Sequence, residues 1–418
     1  MKVVLVGATG FVGRHLLAAL HAAGHQLIAT SRQPQPRGLP GVQWLQLDLD
    51  RLGREPGSFE LPADTDLLIN AAGLLSNDPQ ALSLTQDLGT RALFDLAAAR
   101  GARVLQISAL GAGSQPRVPF LASKAMADDY LLGLNIPAVV LRPSLVLGAG
   151  GASSGWLARL SPWPLIPLLS AQARMQPLHV DDLSAAVLAL LRHWPQESMV
   201  LPLVGPERMT MGQLLDRLRA AQGWAPARYL QLPGPFLGLA ALLGERLGWR
   251  ALSRQSLSMA RQDNLADPEA LASVCGYHAA PLATRLQDWP QAGQTTQWVL
   301  RPLLLAVMVL IWLGTAVVCV GPGYDWGLRI MAEAGVQGAW AVLAVIGGSL
   351  CDAALGVGLL LRRWRRRAMQ AQLLLMLGYT LIISLILPHF WFDPYAAVAK
   401  NLVLMVATLW LLWTEPRR

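Results

Sequence analysis

Residues 2–32, "KVVLVGATGFVGRHLLAALHAAGHQLIATSR", decide the fold. The apolar run Val3–Val6 suits a strand buried on both faces, as in a parallel sheet. Phe11, Leu16, Leu17 and Leu20 then recur at helical spacing, and Gly24 closes the pattern as a C-cap type of residue. "HQLIATS" returns to strand. Between first strand and helix, Gly7, Gly10 and Gly13 form G-x-x-G-x-x-G. Glycines there permit a tight turn and let the backbone approach a pyrophosphate, whose charge the helix N-terminus stabilises. Gly7, Thr9, Gly10, Phe11, Val12 and Gly13 are therefore the expected phosphate cradle.

The end of the second strand should read the ribose. NAD sites present Asp or Glu there, about 20 residues beyond the glycines. This chain has Ser31 and Arg32 instead, and an arginine without a carboxylate accommodates a 2′-phosphate. The expected cofactor is NADP(H) in preference to NAD(H). Three more strands follow: "VQWLQLDLD" (42–50) ending at Asp48, "TDLLINAAG" (65–73) ending at Asn70-Ala71-Ala72-Gly73, and "ARVLQISALGAG" (102–113) ending near Ser108. Such ends line the carboxyl edge of an open parallel sheet, where ligands bind. Asp48, Leu49, Ala71, Ala72 and Gly73 join the cofactor set on that ground.

Together, GATGFVG, Asp48-Leu49, NAAG and "FLASK" (120–124) resemble the short-chain dehydrogenase/reductase superfamily. The likeness is to its extended or atypical branch, with its epimerase-like, NmrA-like and complex I accessory-subunit members. "LRPSLVLG" (141–148), "MQPLHVDDLSAAVLALL" (175–191) and "LVGPERMTMGQLLDRL" (203–218) extend it to about residue 290, with Gln213 where an acid is common. The resemblance implies a catalytic Tyr-x-x-x-Lys pair and a serine on a preceding strand end. Lys124 matches the lysine and Ser108 the serine, but the tyrosine position is Phe120. A phenyl ring has no proton to give. Tyr130 lies on the wrong side of the lysine and out of register. Gln86 in "TQDLGT" replaces the family's asparagine. Lys124 is either a ribose contact near the cofactor or a helix-surface lysine, and it sits on the expected first turn of its helix. Ser108 either serves the site or hydrogen-bonds backbone. His179 reads as structural, beside Asp181 or Asp182 as the N-cap of the helix that follows.

From Pro302 onward the chain is almost continuously apolar. Charged residues make up only 14% of the sequence, against about 25% in ordinary soluble domains. Four apolar segments, 303–321, 339–361, 373–388 and 395–413, predict four membrane spans. The basic loop "RRWRRR" (362–367) should face the cytoplasm, bringing the amino-terminal domain and the Arg417–Arg418 tail to the same side. A bacterial-type inner membrane is the expected location, and no signal peptide pattern opens the chain. Asp352 is the only acid well inside a span, hence a functional candidate. "PHFWFDPYAAVAKNL" (388–402) resembles the DoxX-like membrane family, which implies a four-helix domain with redox association.

The net charge is +8, but many arginines cluster at the membrane-like end, so it does not argue for nucleic acid. Three cysteines, far apart, exclude a disulfide framework or metal spacing. The expected architecture is an α/β, Rossmann-like doubly wound parallel sheet (1–150), a smaller substrate lobe (151–296) and a four-helix transmembrane bundle (299–418). Within the lobe, "GPFLGLAALLGERLGW" (234–249) either lines a substrate cavity, rests on the membrane or simply packs. The leading expectation is a membrane-anchored NADP(H)-binding oxidoreductase acting on a quinone or other lipophilic acceptor. A non-catalytic nucleotide-bound scaffold or redox sensor is the alternative, and an isomerase or epimerase ranks last. Oligomeric state stays open.

Overall fold

The computed structural model describes every residue except 34–38, 247–253, 395, 397 and 417–418. The chain divides into two compact units, Met1–Thr295 and Thr296–Arg418.

Seven strands of the first unit form one sheet: β1 (Lys2–Val6), β2 (Gln26–Ser31), β3 (Gln43–Gln46), β4 (Leu67–Asn70), β5 (Arg103–Ile107), β6 (Ala138–Pro143) and β7 (Met199–Leu203). Their order is β7-β6-β5-β4-β1-β2-β3, and every pairing is parallel. The order reverses between β1 and β4, which puts a crevice at their carboxyl ends. Both faces are covered. Val3 and Leu5 point to a core shared with Leu16, Leu20, Leu183 and Val187. Val4 and Val6 point the other way, to Leu52, Leu93, Phe94 and Leu131. This two-sided burial explains why β1 reads as a continuous apolar run rather than an alternating one.

Local details depart from expectation. Asp48 ends no strand: its carboxylate accepts from the Asp50 N–H at 3.1 Å and caps the Leu49–Arg54 helix. The helix carrying Lys124 starts at Pro119, where a missing N–H costs nothing, so Ser123 and Lys124 fall in its second turn. The cap of Val180–Arg192 is His179, whose Nδ1 accepts from the Asp181 N–H at 3.3 Å. Asp182 is instead fully buried, accepting from Tyr277 Oη at 2.7 Å and Arg285 Nη2 at 2.8 Å. It anchors the end of the unit.

In the second unit, Ala292–Val320, Ala339–Leu360 and Arg365–Ile386 are long and apolar enough to cross a membrane by length and composition. The fourth expected segment forms a shorter apolar helix, Ala399–Thr414, of 16 residues. A further helix, Tyr324–Glu333, was not expected. Asp352 is buried within Ala339–Leu360, and its Oδ1 has no hydrogen-bond partner. One turn earlier, Ser349 donates to the Ala316 carbonyl at 2.7 Å. The expected Arg417–Arg418 tail lies outside the described residues, as do residues 247–249 of the 234–249 segment.

Candidate active site

The glycine loop is forced by space. Gly7 has φ +76, and a Cβ there would stand 2.7 Å from Ala72 backbone atoms. At Gly13 a Cβ would meet the Gly7 carbonyl oxygen at 2.1 Å, so the helix can approach β1 only without side chains. That helix, Phe11–Ala22, has Gly10 as N-cap and no side-chain cap. Its first N–H groups are left for an anion.

Around this loop lies a cleft of about 630 Å³, lined by Gly7 and Thr9–Val12, Thr30–Arg32, Leu47–Asp50, Ala71–Leu75 and Phe120. Nearly every residue expected to hold a cofactor is there: Thr9, Gly10, Phe11, Val12, Ser31, Arg32, Asp48, Leu49, Ala71, Ala72 and Gly73. Gly13 stands behind them as a packing contact. Ser31 is buried, its hydroxyl accepting from the Gln33 N–H at 3.1 Å, and no carboxylate stands at the end of β2. An open helix N-terminus, a glycine-rich loop and a slot of this size fit a dinucleotide.

A second cavity, about 480 Å³, adjoins the first. The two share Phe11, Val12, Ala71, Ala72, Gly73, Leu75 and Phe120, so cleft and chamber meet at a seam. The chamber wall is mostly apolar, with Leu110, Leu145, Trp156, Leu157, Met175, Met211 and Met259. Lys124 is the only titratable side chain lining it among the described residues. Ser256, Met259 and Ala260 of the Arg254–Ala260 helix contribute to this wall.

Lys124 is 5% exposed, not a surface lysine. Its Nζ donates to the Ile107 carbonyl at 3.1 Å and stands 5.9 Å from the Phe120 ring centroid. Burial brings its pKa down to about 8, against the opposing charge of Asp128. Ser108 also lines the chamber, but its hydroxyl donates to Asp128 Oδ2 at 2.7 Å. Arg142 holds the same oxygen through Nε at 3.0 Å and Nη2 at 2.9 Å. Asp128 is fully buried. Burial pushes its pKa up, and the hydrogen bonds from Ser108 and Arg142 pull against that.

Several residues here escaped sequence reasoning. Gln86 sits on a π-helical turn, Ser83–Leu88, a distortion frequent at functional sites. It accepts from the Leu74 N–H at 3.3 Å and donates to Ser123 Oγ at 3.2 Å. The replaced asparagine thus became a strut between the exit of β4 and the Lys124 helix. Gln255 accepts from the Phe120 N–H at 3.3 Å and donates to the Ser76 carbonyl at 2.9 Å. Asn264 lines the chamber; its Nδ2 faces the Leu110 carbonyl at 3.5 Å while its buried Oδ1 has no partner. Tyr130 donates to Asp95 at 2.7 Å and lines neither cavity. His179 is likewise outside both, and burial lowers its pKa.

Residues 3–201 match the NAD dependent epimerase/dehydratase family, and residues 308–409 match the DoxX-like family. The chain joins an epimerase/dehydratase-type domain to a DoxX-like domain. The ceramide reductase of Caulobacter vibrioides is 27% identical over 257 residues, 60% of this chain and 79% of that protein. Mitochondrial NADH dehydrogenase [ubiquinone] 1 alpha subcomplex subunit 9 of Dictyostelium discoideum is 27% identical over 240 residues, 54% and 65% of the two chains. Among solved structures, a nucleoside-diphosphate-sugar epimerase from Staphylococcus aureus superposes with a TM-score of 0.57 at 17% identity, covering 69% of this chain and all of that one. That likeness is one of fold.

Proposed function

We propose that this protein is a membrane-anchored reductase of a lipophilic carbonyl compound, with Lys124 as proton donor. In this reading residues 1–150 bind the nucleotide, 151–296 complete the substrate chamber and the DoxX-like unit holds the enzyme in the bilayer. A nicotinamide nucleotide bound in the cleft supplies a hydride. The carbonyl oxygen then needs a proton, and Phe120 has none. The observation that carries the proposal is that Lys124 alone, among the described chamber residues, can titrate. The Ile107 carbonyl takes one of its three N–H bonds, leaving others for the substrate oxygen. Phe120 lines both cavities where they meet. Ser108, whose proton is committed to Asp128, keeps Asp128 in place beneath Lys124 rather than polarising the carbonyl.

The apolar wall and the resemblance to a ceramide reductase support a long-chain lipid ketone as substrate rather than a quinone. The unpartnered Asn264 Oδ1 supports a substrate bearing an N–H or O–H donor, since an unpaired buried acceptor costs about 1–3 kcal/mol. Arg32, following a β2 strand that ends without an acid, supports NADP(H) over NAD(H). The arginine-rich 362–367 loop supports an inner-membrane orientation with both termini cytoplasmic; a reporter fused after Arg418 that reads out as periplasmic would reverse it.

The test is a fluorescence titration of the full-length protein with NADPH and NADH, then stopped-flow NADPH oxidation with a 3-ketosphingolipid. NADPH is expected to bind more tightly. Lys124→Met is expected to slow turnover ~100-fold or more while the cleft still takes nucleotide. Wild-type rates in that variant would end the proton-donor assignment. Tight nucleotide binding without turnover of any lipid ketone would favour a nucleotide-bound scaffold, the reading that Phe120 and the likeness to a complex I subunit support.

A further inference from the structure

At one end of the second unit, Arg301, Arg362, Arg363, Arg365, Arg366, Glu415 and Pro416 line a cavity of about 700 Å³. Five arginines face a single carboxylate. Glu415 takes up Arg301 in a close ion pair and Arg365 at 3.7 Å, and Arg365 Nε also donates to the Leu359 carbonyl at 2.7 Å. Arg362, Arg363 and Arg366 have no acidic partner among the described residues. Their concentration is electrostatically costly twice over. Like charges repel, and the Arg365–Ile386 helix carries arginines and no acid in its first turn, at the positive end of its macrodipole. An anion in the cavity relieves both, meeting guanidinium forks and the N–H groups that a helix start leaves free.

The level of the site narrows the anion's identity. Arg362 and Arg363 lie in the link between two helices long and apolar enough to span a bilayer, Ala339–Leu360 and Arg365–Ile386. Trp364 and Trp413 beside it are 47% and 75% exposed, as tryptophans are at the headgroup level. We propose that this pocket binds the phosphate of an anionic phospholipid, with Arg362, Arg363 and Arg366 as its ligands. Glu415 holds Arg301 and Arg365 as a fixed floor, so that those two shape the pocket and the other three meet the phosphate. This site is independent of the reductase reading.

The test uses the full chain in nanodiscs, with native mass spectrometry after gentle release. Wild type is expected to retain phosphatidylglycerol in preference to phosphatidylcholine. Arg362→Gln/Arg363→Gln/Arg366→Gln should weaken that retention on the order of 100-fold, with melting in pure phosphatidylcholine discs unchanged. The all-lysine version should recover part of it, because charge remains while the bidentate fork is lost. Inorganic phosphate that displaces the lipid and raises the melting temperature of wild type alone would assign the site to the phosphate group itself; failure to displace assigns it to the lipid headgroup in its bilayer. Equal retention of both lipids by wild type overturns the proposal, and that comparison needs no variant to fold.

Discussion

In the proposed reaction Lys124 donates the proton, and its burial has a sign that can be followed through pH. Its pKa falls from 10.5 to about 8, which at about 1.4 kcal/mol per pH unit makes the ammonium cost the fold ~3 kcal/mol at neutral pH. Between pH 8 and 10.5 the unfolded chain binds the extra proton, so stability rises with pH across that window. The same depression puts the acid near working pH: ketone reduction should decline as pH rises through about 8, and a rate profile checks this. Asp128 is a positioning residue, since its charge opposes the drop. In Asp128→Asn the declining limb should move to lower pH, and leaving the partly exposed Arg142 without its anion should cost about 1–3 kcal/mol in urea unfolding. A limb that stays in place would detach Asp128 from the proton donor. For Phe120→Tyr, which adds a hydroxyl to a ring whose centroid stands 5.9 Å from Lys124 Nζ, faster single-turnover reduction is expected. No gain would mean that the chamber has no room for a tyrosine-type geometry.

At the level of elements, the glycine loop makes a sharp prediction. Gly13→Ala would set a Cβ 2.1 Å from the Gly7 carbonyl oxygen, so the helix must retreat from β1; NADPH affinity should fall at least tenfold by fluorescence, whereas an exposed change such as Ala18→Ser should leave it unchanged. This part of the molecule was legible in the sequence because local signals agree: Val3–Val6 is buried on both sides, Gly24 ends a helix, and Arg32 follows a strand. What was not legible depends on contacts distant in sequence. Gln86 looked like a lost asparagine, yet its value lies in bonds to Leu74 and Ser123. His179 displaced two good capping aspartates because Asp182 is needed by Tyr277 and Arg285. Asn264 reaches the chamber from 140 residues beyond Lys124, across a separation no motif spans.

For the whole molecule, joining a nucleotide-binding unit to a DoxX-like one has a kinetic meaning if the substrate is a membrane lipid. Enzyme and substrate held in one bilayer would meet at a high effective concentration without any new contact, while the nucleotide cleft would draw on the aqueous pool. A fragment ending at Thr295 keeps the sheet, both cavities and Lys124, all of which lie in the first unit. It should therefore bind NADPH with wild-type affinity and reduce a short-chain, water-soluble ketone at the wild-type rate. On the same ketone with a long chain, embedded in vesicles, its kcat/KM should drop on the order of 100-fold through KM, the range that tethering typically supplies. Equal losses on both ketones would instead make the second unit part of the active fold, and equal activity on both would remove lipid access as the reason for the fusion.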